Sequence, residues 1–118
     1  MPENFTQRIA QVDSYVRQLH QLAPEPVAAY GALSKTAQTP GALDGKTKEL
    51  IALAISVATR CEGCIGYHAR GAVRTGATRQ EVAEMLAVTL QMGGGPSMVH
   101  AADALRAYDE FAAGAAKA

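Results

Sequence analysis

The chain contains no tryptophan and only two phenylalanines, so large aromatic anchors cannot carry its core. Its apolar share is still 48%, and 24 of its 118 residues are alanine. Alanine buries little area per side chain, and a domain of this length removes only a moderate fraction of its surface from water. Contacts between copies are therefore expected to supply part of the burial. An excess of either charge is also missing, since 11 acidic residues balance 11 basic ones. Without a basic arm or a basic amphipathic face, neither nucleic acid nor a membrane surface is an expected partner. Long hydrophobic runs are absent too. The longest, Leu50 to Ala58, is broken by Ser56 and falls far short of the ~20 residues that span a bilayer. The opening Met-Pro-Glu-Asn lacks the basic-then-apolar order of a secretory leader, which makes the expected location cytoplasmic. Cysteine occurs only at Cys61 and Cys64. In a reducing compartment such a pair is poor material for a structural staple, and redox chemistry or metal binding is the better use of it.

What is present reads as helix throughout. Phe5, Ile9, Val12, Val16, Leu19 and Leu22 recur in steps of three and four, marking an amphipathic helix over 4–22. Pro24 and Pro26 interrupt it and suit the first turn of a second helix, Pro26 to about Ala37. Turn chemistry at Thr39-Pro40-Gly41 and Asp44-Gly45 leads to a third, Lys46 to Thr59, whose apolar residues leave almost no polar face and predict burial on most sides. Ile65 to Thr75 reads as a fourth, stopped by Gly76. Thr78 and Glu81 fit a capping box that opens a fifth, ended by Gly93-Gly94-Gly95. Pro96 to about Phe111 is a sixth, and the Ala/Gly-rich tail over 112–118 is expected to fray. No segment alternates with period two. The expected architecture is an all-α, six-helix bundle forming one domain over 1–118.

Chemistry concentrates at Cys61-Glu62-Gly63-Cys64, with His68 beyond it. At 100° per residue Cys61, Cys64 and His68 would lie at about 0°, 300° and 340°, on one helix face. Cys64 and His68 are four apart and within reach of each other. Cys61 and Cys64 are near disulfide range, and a helix start can both close the gap and stabilise a thiolate. Glu49 lies 12 residues before Cys61, about 18 Å along a straight helix. If the chain turns near Arg60 to Gly63 and the next helix packs back, His68, roughly 10 Å past Cys61, comes level with Glu49. A carboxylate beside an imidazole holds its tautomer and favours its protonated form.

Glu49, Cys61, Cys64 and His68 form the pattern Glu-x11-Cys-x2-Cys-x3-His. It is set in Lys48-Glu49-Leu50-Ile51-Ala52-Leu53-Ala54 and followed by Gly76-Ala77-Thr78. Over about 43–108 this resembles the alkylhydroperoxidase D-like branch of the carboxymuconolactone decarboxylase family. The resemblance implies an all-helical fold assembled as trimers or hexamers, and a thiol-dependent peroxidase or disulfide oxidoreductase with neither cofactor nor metal. The substrate would be a hydroperoxide or a disulfide, and the electrons would come from a dithiol reductant. The implied roles are Cys64 as attacking thiolate, Cys61 as resolving thiol, His68 as base and Glu49 as its relay partner. In the branch resembled a second histidine directly precedes the second cysteine; here that position is Gly63.

Other readings stand beside this one. Cys61, Cys64 and His68 supply three zinc ligands, but a structural zinc site takes four, and His20 or His100 could join only through the fold or another subunit. His20 reads as solvent-facing near a helix end, and His100 as a half-buried, hydrogen-bonded histidine. Tyr67 suits either a pocket entrance or simple packing. Met85, Met92 and Met98 read as core filler. A lactone decarboxylase gives the cysteine pair no task, and a non-catalytic oligomeric redox sensor is the remaining alternative.

Overall fold

A computed structural model describes residues 4–116 of the chain. Six α-helices follow in order: α1 (Phe5–Leu22), α2 (Pro24–Ala37), α3 (Gly45–Ala58), α4 (Glu62–Arg74), α5 (Arg79–Gly93) and α6 (Gly95–Ala116). No strand occurs among the described residues, as the periodicity predicts. Several boundaries shift for identifiable reasons. Asn4 is the cap of α1 rather than its first residue: it accepts the Gln7 N–H at 2.8 Å, while the Gln7 side chain accepts the Asn4 N–H at 3.1 Å. The helix α2 starts at Pro24, since first-turn positions need no N–H donor and both prolines fit there. The helix α4 starts at Glu62, three residues before its expected start, which places the cysteine motif at a helix N-terminus. The helix α6 runs on through Ala116, past the expected end at Phe111. Alanine is the strongest helix former, and Phe111 and Ala112 pack against the core. The last two residues of the tail lie outside the described range.

The core lies among α3, α4, α5 and α6, with Leu53, Val57, Ile65 and Val82 shut off from solvent. Ala69 and Ala72 on α4 and Ala104 and Ala107 on α6 are equally buried, and their small size brings the two helices close. Phe5 and Ile9 attach α1 to this core, and the Tyr108 hydroxyl donates to the Ala77 carbonyl at 2.6 Å. The helix α2 packs on α1 and buries no residue. The near-total burial predicted for α3 is not reached within one chain. Leu53, Ser56 and Val57 are buried, but Ile51 and Ile55 remain 44% and 56% exposed, because the helices that pack on α3, which are α4, α5 and α6, leave that face uncovered. No described helix is long and apolar enough to cross a membrane.

The reversal between α3 and α4 takes three residues. The Arg60 N–H donates to the Val57 carbonyl at 3.1 Å and the Cys61 N–H to the Ser56 carbonyl at 3.0 Å, the paired bonds of a Schellman motif. The end of α4 repeats the motif: Gly76 N–H to Val73 at 3.1 Å, and Ala77 N–H to Ala72 at 2.9 Å. There glycine takes the left-handed position at φ 85°, whereas at the end of α3 the same position holds Arg60 at φ 58°. A left-handed L-residue carries a cost of roughly 1–2 kcal/mol that glycine avoids. Arg60→Gly is therefore expected to raise stability by about 1 kcal/mol, the remainder being offset by unfolded-chain entropy. Urea denaturation of the disulfide form measures it, and an unchanged or lowered midpoint contradicts it.

Candidate active site

The site is assembled by the α3–α4 hairpin. Asp44 caps α3 by accepting the Thr47 N–H at 2.7 Å, and Glu49 follows in the next turn. On the return, Cys61 and Cys64 form a disulfide with Cα atoms 5.2 Å apart. Cys61 is itself the cap of α4: its sulfur accepts the Cys64 N–H at 3.3 Å. One turn beyond Cys64, His68 Nδ1 lies 3.0 Å from Glu49 Oε2. The fold thus brings Glu49 to His68 across the hairpin, as the chain reversal in the sequence predicts. The Glu49 side chain is 14% exposed and that of His68 30%, so the pair is shielded yet open on the imidazole side.

Gly71 makes this approach possible. A Cβ built there would lie 1.9 Å from Glu49 Oε2 and 2.4 Å from Cδ, so the carboxylate occupies the space that any other residue would fill. The sequence reading passed over Gly71. A glycine inside a helix, three residues after a candidate histidine, was the available signal, since it costs about 1 kcal/mol against alanine unless something close needs the room.

The remaining candidates stay apart from this cluster. His20 is exposed near the end of α1. His100 is half-buried, but its Nδ1 is shielded and has no hydrogen-bond partner, contrary to the satisfied histidine predicted from its apolar neighbours. Those neighbours, Val99 and Ala101, offer no side-chain polar group. Among the described residues no group of three or more His, Cys, Asp or Glu side chains is placed to hold a metal ion. Tyr67 is tied to α1, its hydroxyl donating to Asp13 Oδ1 and its ring lying under the Arg70 guanidinium at 5.4 Å. Burial, and then the hydrogen bond to Asp13, push its phenol up to about 12. Met85 packs against the core, while Met92 and Met98 are exposed, a correction to their reading as filler.

The chain is similar in sequence and fold to proteins of one family. Residues 24–107 match the carboxymuconolactone decarboxylase family. An uncharacterised protein of Cupriavidus necator is 35% identical over 92% of this chain and 96% of its own length. A ligand-free crystal structure of a carboxymuconolactone decarboxylase family protein from Legionella pneumophila is 42% identical. It superposes with a TM-score of 0.89 over 92% of this chain and 96% of that one. A family member from Thermotoga maritima, for which a part in the antioxidative response has been suggested, is 27% identical. Its TM-score is 0.82 over 93% of this chain and 94% of that one.

The tight fit of Gly71 against Glu49 yields a double-mutant test. Gly71→Ala is expected to destabilise the protein by about 2 kcal/mol despite alanine's better helix propensity, because the carboxylate must move. Adding Glu49→Ala frees the space, so the double variant is expected to be more stable than Gly71→Ala alone. Thermal denaturation of the four proteins measures the coupling, and simple additivity refutes the steric account.

Proposed function

The chain belongs to the carboxymuconolactone decarboxylase family, and from that premise we propose that it is a thiol-dependent peroxidase or disulfide oxidoreductase. It cycles Cys61 and Cys64 with Glu49 and His68 as the proton relay. The observation that carries this reading is the Glu49–His68 contact one helical turn from a disulfide-bonded pair. The antioxidative role suggested for the Thermotoga protein agrees with it.

In the reduced protein His68 takes the Cys64 thiol proton. With Nδ1 engaged by Glu49, Nε2 is the nitrogen left for this exchange. The thiolate attacks the distal oxygen of a hydroperoxide, an S–O bond forms, the O–O bond breaks, and the alkoxide leaves as alcohol with the proton returned by His68. Cys64 is then a sulfenic acid. The Cys61 sulfur attacks the Cys64 sulfur, the S–S bond forms, the S–O bond breaks and water departs. Two thiols have lost two electrons and the hydroperoxide has gained them. A dithiol reductant restores both thiols by exchange and becomes a disulfide itself.

Two influences compete for the first oxidation. The start of α4 favours a thiolate at Cys61, whose sulfur already accepts the Cys64 N–H. His68 favours Cys64 and can also deliver a proton to the leaving oxygen, which a helix terminus cannot do. The assignment therefore goes to Cys64. Sulfenic-acid trapping after one equivalent of peroxide is expected to label Cys64 in the Cys61→Ser variant. A label on Cys61 in Cys64→Ser, with none on Cys64 in the reverse variant, refutes the assignment.

The working unit is a homo-oligomer, a hexamer by analogy with the family resembled, with the dithiol near a subunit boundary. Tyr15, Leu19, Leu22, Tyr30 and Leu33 on α1 and α2, and Ile51, Ile55, Val88 and Met92 on α3 and α5, are large apolar side chains left exposed on the single chain. Patches of this kind are covered by association. Light scattering coupled to size exclusion is expected to give a multiple of 12.3 kDa. A monomer at micromolar concentration that still cycles its disulfide overturns the assembly and its link to the site.

A further inference from the structure

A cavity lies well away from the dithiol. It lies between α1, α4 and α6, with a volume of about 550 Å³, within the range of small-ligand sites. Ile9, Ala10, Val73 and Phe111 supply apolar walls, and Arg70 and Arg74 both line it. These arginines are one turn apart on α4, on the side of the helix turned away from His68. Neither has a carboxylate within ion-pair distance among the described residues. Arg70 Nε is shielded from solvent and has no hydrogen-bond partner. The Arg70 guanidinium lies over the Tyr67 ring at 5.4 Å, a contact that leaves this N–H without an acceptor.

Two carboxylates also line the cavity, and both are already engaged. Glu110 accepts the Thr6 N–H at 2.9 Å, the Thr6 hydroxyl at 2.8 Å and the Phe5 N–H at 3.2 Å, so its charge is spent on the N-terminus of α1. Asp13 accepts the Tyr67 hydroxyl. What remains without a carboxylate partner is the arginine pair beside an apolar wall.

We propose that the cavity between α1, α4 and α6 is a binding site for a small aliphatic carboxylate, whose carboxylate is held by Arg70 and Arg74 and whose chain lies against Ile9, Ala10, Val73 and Phe111. Planar guanidinium groups bind carboxylates through paired hydrogen bonds, and Arg74, exposed on the outer turn, is the entry-side partner of the half-buried Arg70. The site is separate from the Cys61–Cys64 chemistry and does not rest on it.

The test is calorimetric titration of the full-length disulfide form with sodium octanoate, and with 1-octanol as the uncharged control. Octanoate is expected to bind once per chain, and octanol about tenfold or more weaker. Arg70→Gln and Arg74→Gln are each expected to weaken octanoate by about tenfold. Ala10→Phe, which fills the cavity from the α1 side, is expected to abolish binding. Circular dichroism verifies folding of each variant, and the exposed Arg74 keeps the test decisive if Arg70→Gln fails to fold. Methyl shifts at Ile9 and Val73 on binding locate the ligand. Equal affinity for octanol and octanoate, unchanged affinity in Arg74→Gln, or shifts confined to the surroundings of Cys64 and His68 overturn the proposal. So does an absence of binding, including the case in which a second copy covers this face.

Discussion

Everything at the site depends on how closely α3 and α4 lie side by side. Glu49 is nine residues before the end of α3, and Gly71 is nine residues after the start of α4. A short reversal therefore brings them level. The absent Cβ at Gly71 then lets the carboxylate settle between the helices and reach His68. A shielded carboxylate is costly unless its oxygens are hydrogen-bonded, and the imidazole supplies that bond. The same contact that satisfies Glu49 sets the orientation of His68. Packing and the proposed proton relay are one arrangement seen at two levels.

The hairpin turn links this packing to the dithiol. The Schellman bonds that end α3 run directly into the residue that caps α4, so Arg60 and Cys61 close one helix and open the next without a spacer. Cysteine is an unusual cap, since oxygen-bearing side chains are preferred there. Its sulfur stands where the N-terminus of a helix favours negative charge. Local geometry thus suits the proposed thiolate chemistry, while the left-handed Arg60 is a conformation that only the surrounding bonds hold in place.

Alanine-rich packing has a further consequence outside the site. Ala69, Ala72, Ala104 and Ala107 allow α4 and α6 to approach closely, but they contribute little buried area for each residue ordered. Many of the larger apolar side chains lie on the outer faces of α1, α2, α3 and α5 instead. A chain built this way has a dense but small interior and a surface with apolar area left over. The family match and the close superposition on the Legionella protein show that the fold itself is shared with relatives.

The sequence by itself determined the helical class, the number of helices and the Thr78–Glu81 cap, because these follow from periodicity and short-range chemistry within a turn or two. It also determined that Cys61, Cys64 and His68 share a region, since all three fall within one short stretch of chain. The Glu49–His68 pairing was legible through one added premise, a reversal at Arg60 to Gly63. Tertiary structure alone decided the rest. The room that Gly71 makes is a property of two helices and invisible in either. The shielded and unbonded Nδ1 of His100, the tie between Tyr67 and Asp13, and the exposure of Ile51 and Ile55 depend on which faces find neighbours. Hydrophobic pattern says that a face seeks cover; only the packed chain decides where that cover comes from, because burial is a relation between surfaces far apart in sequence.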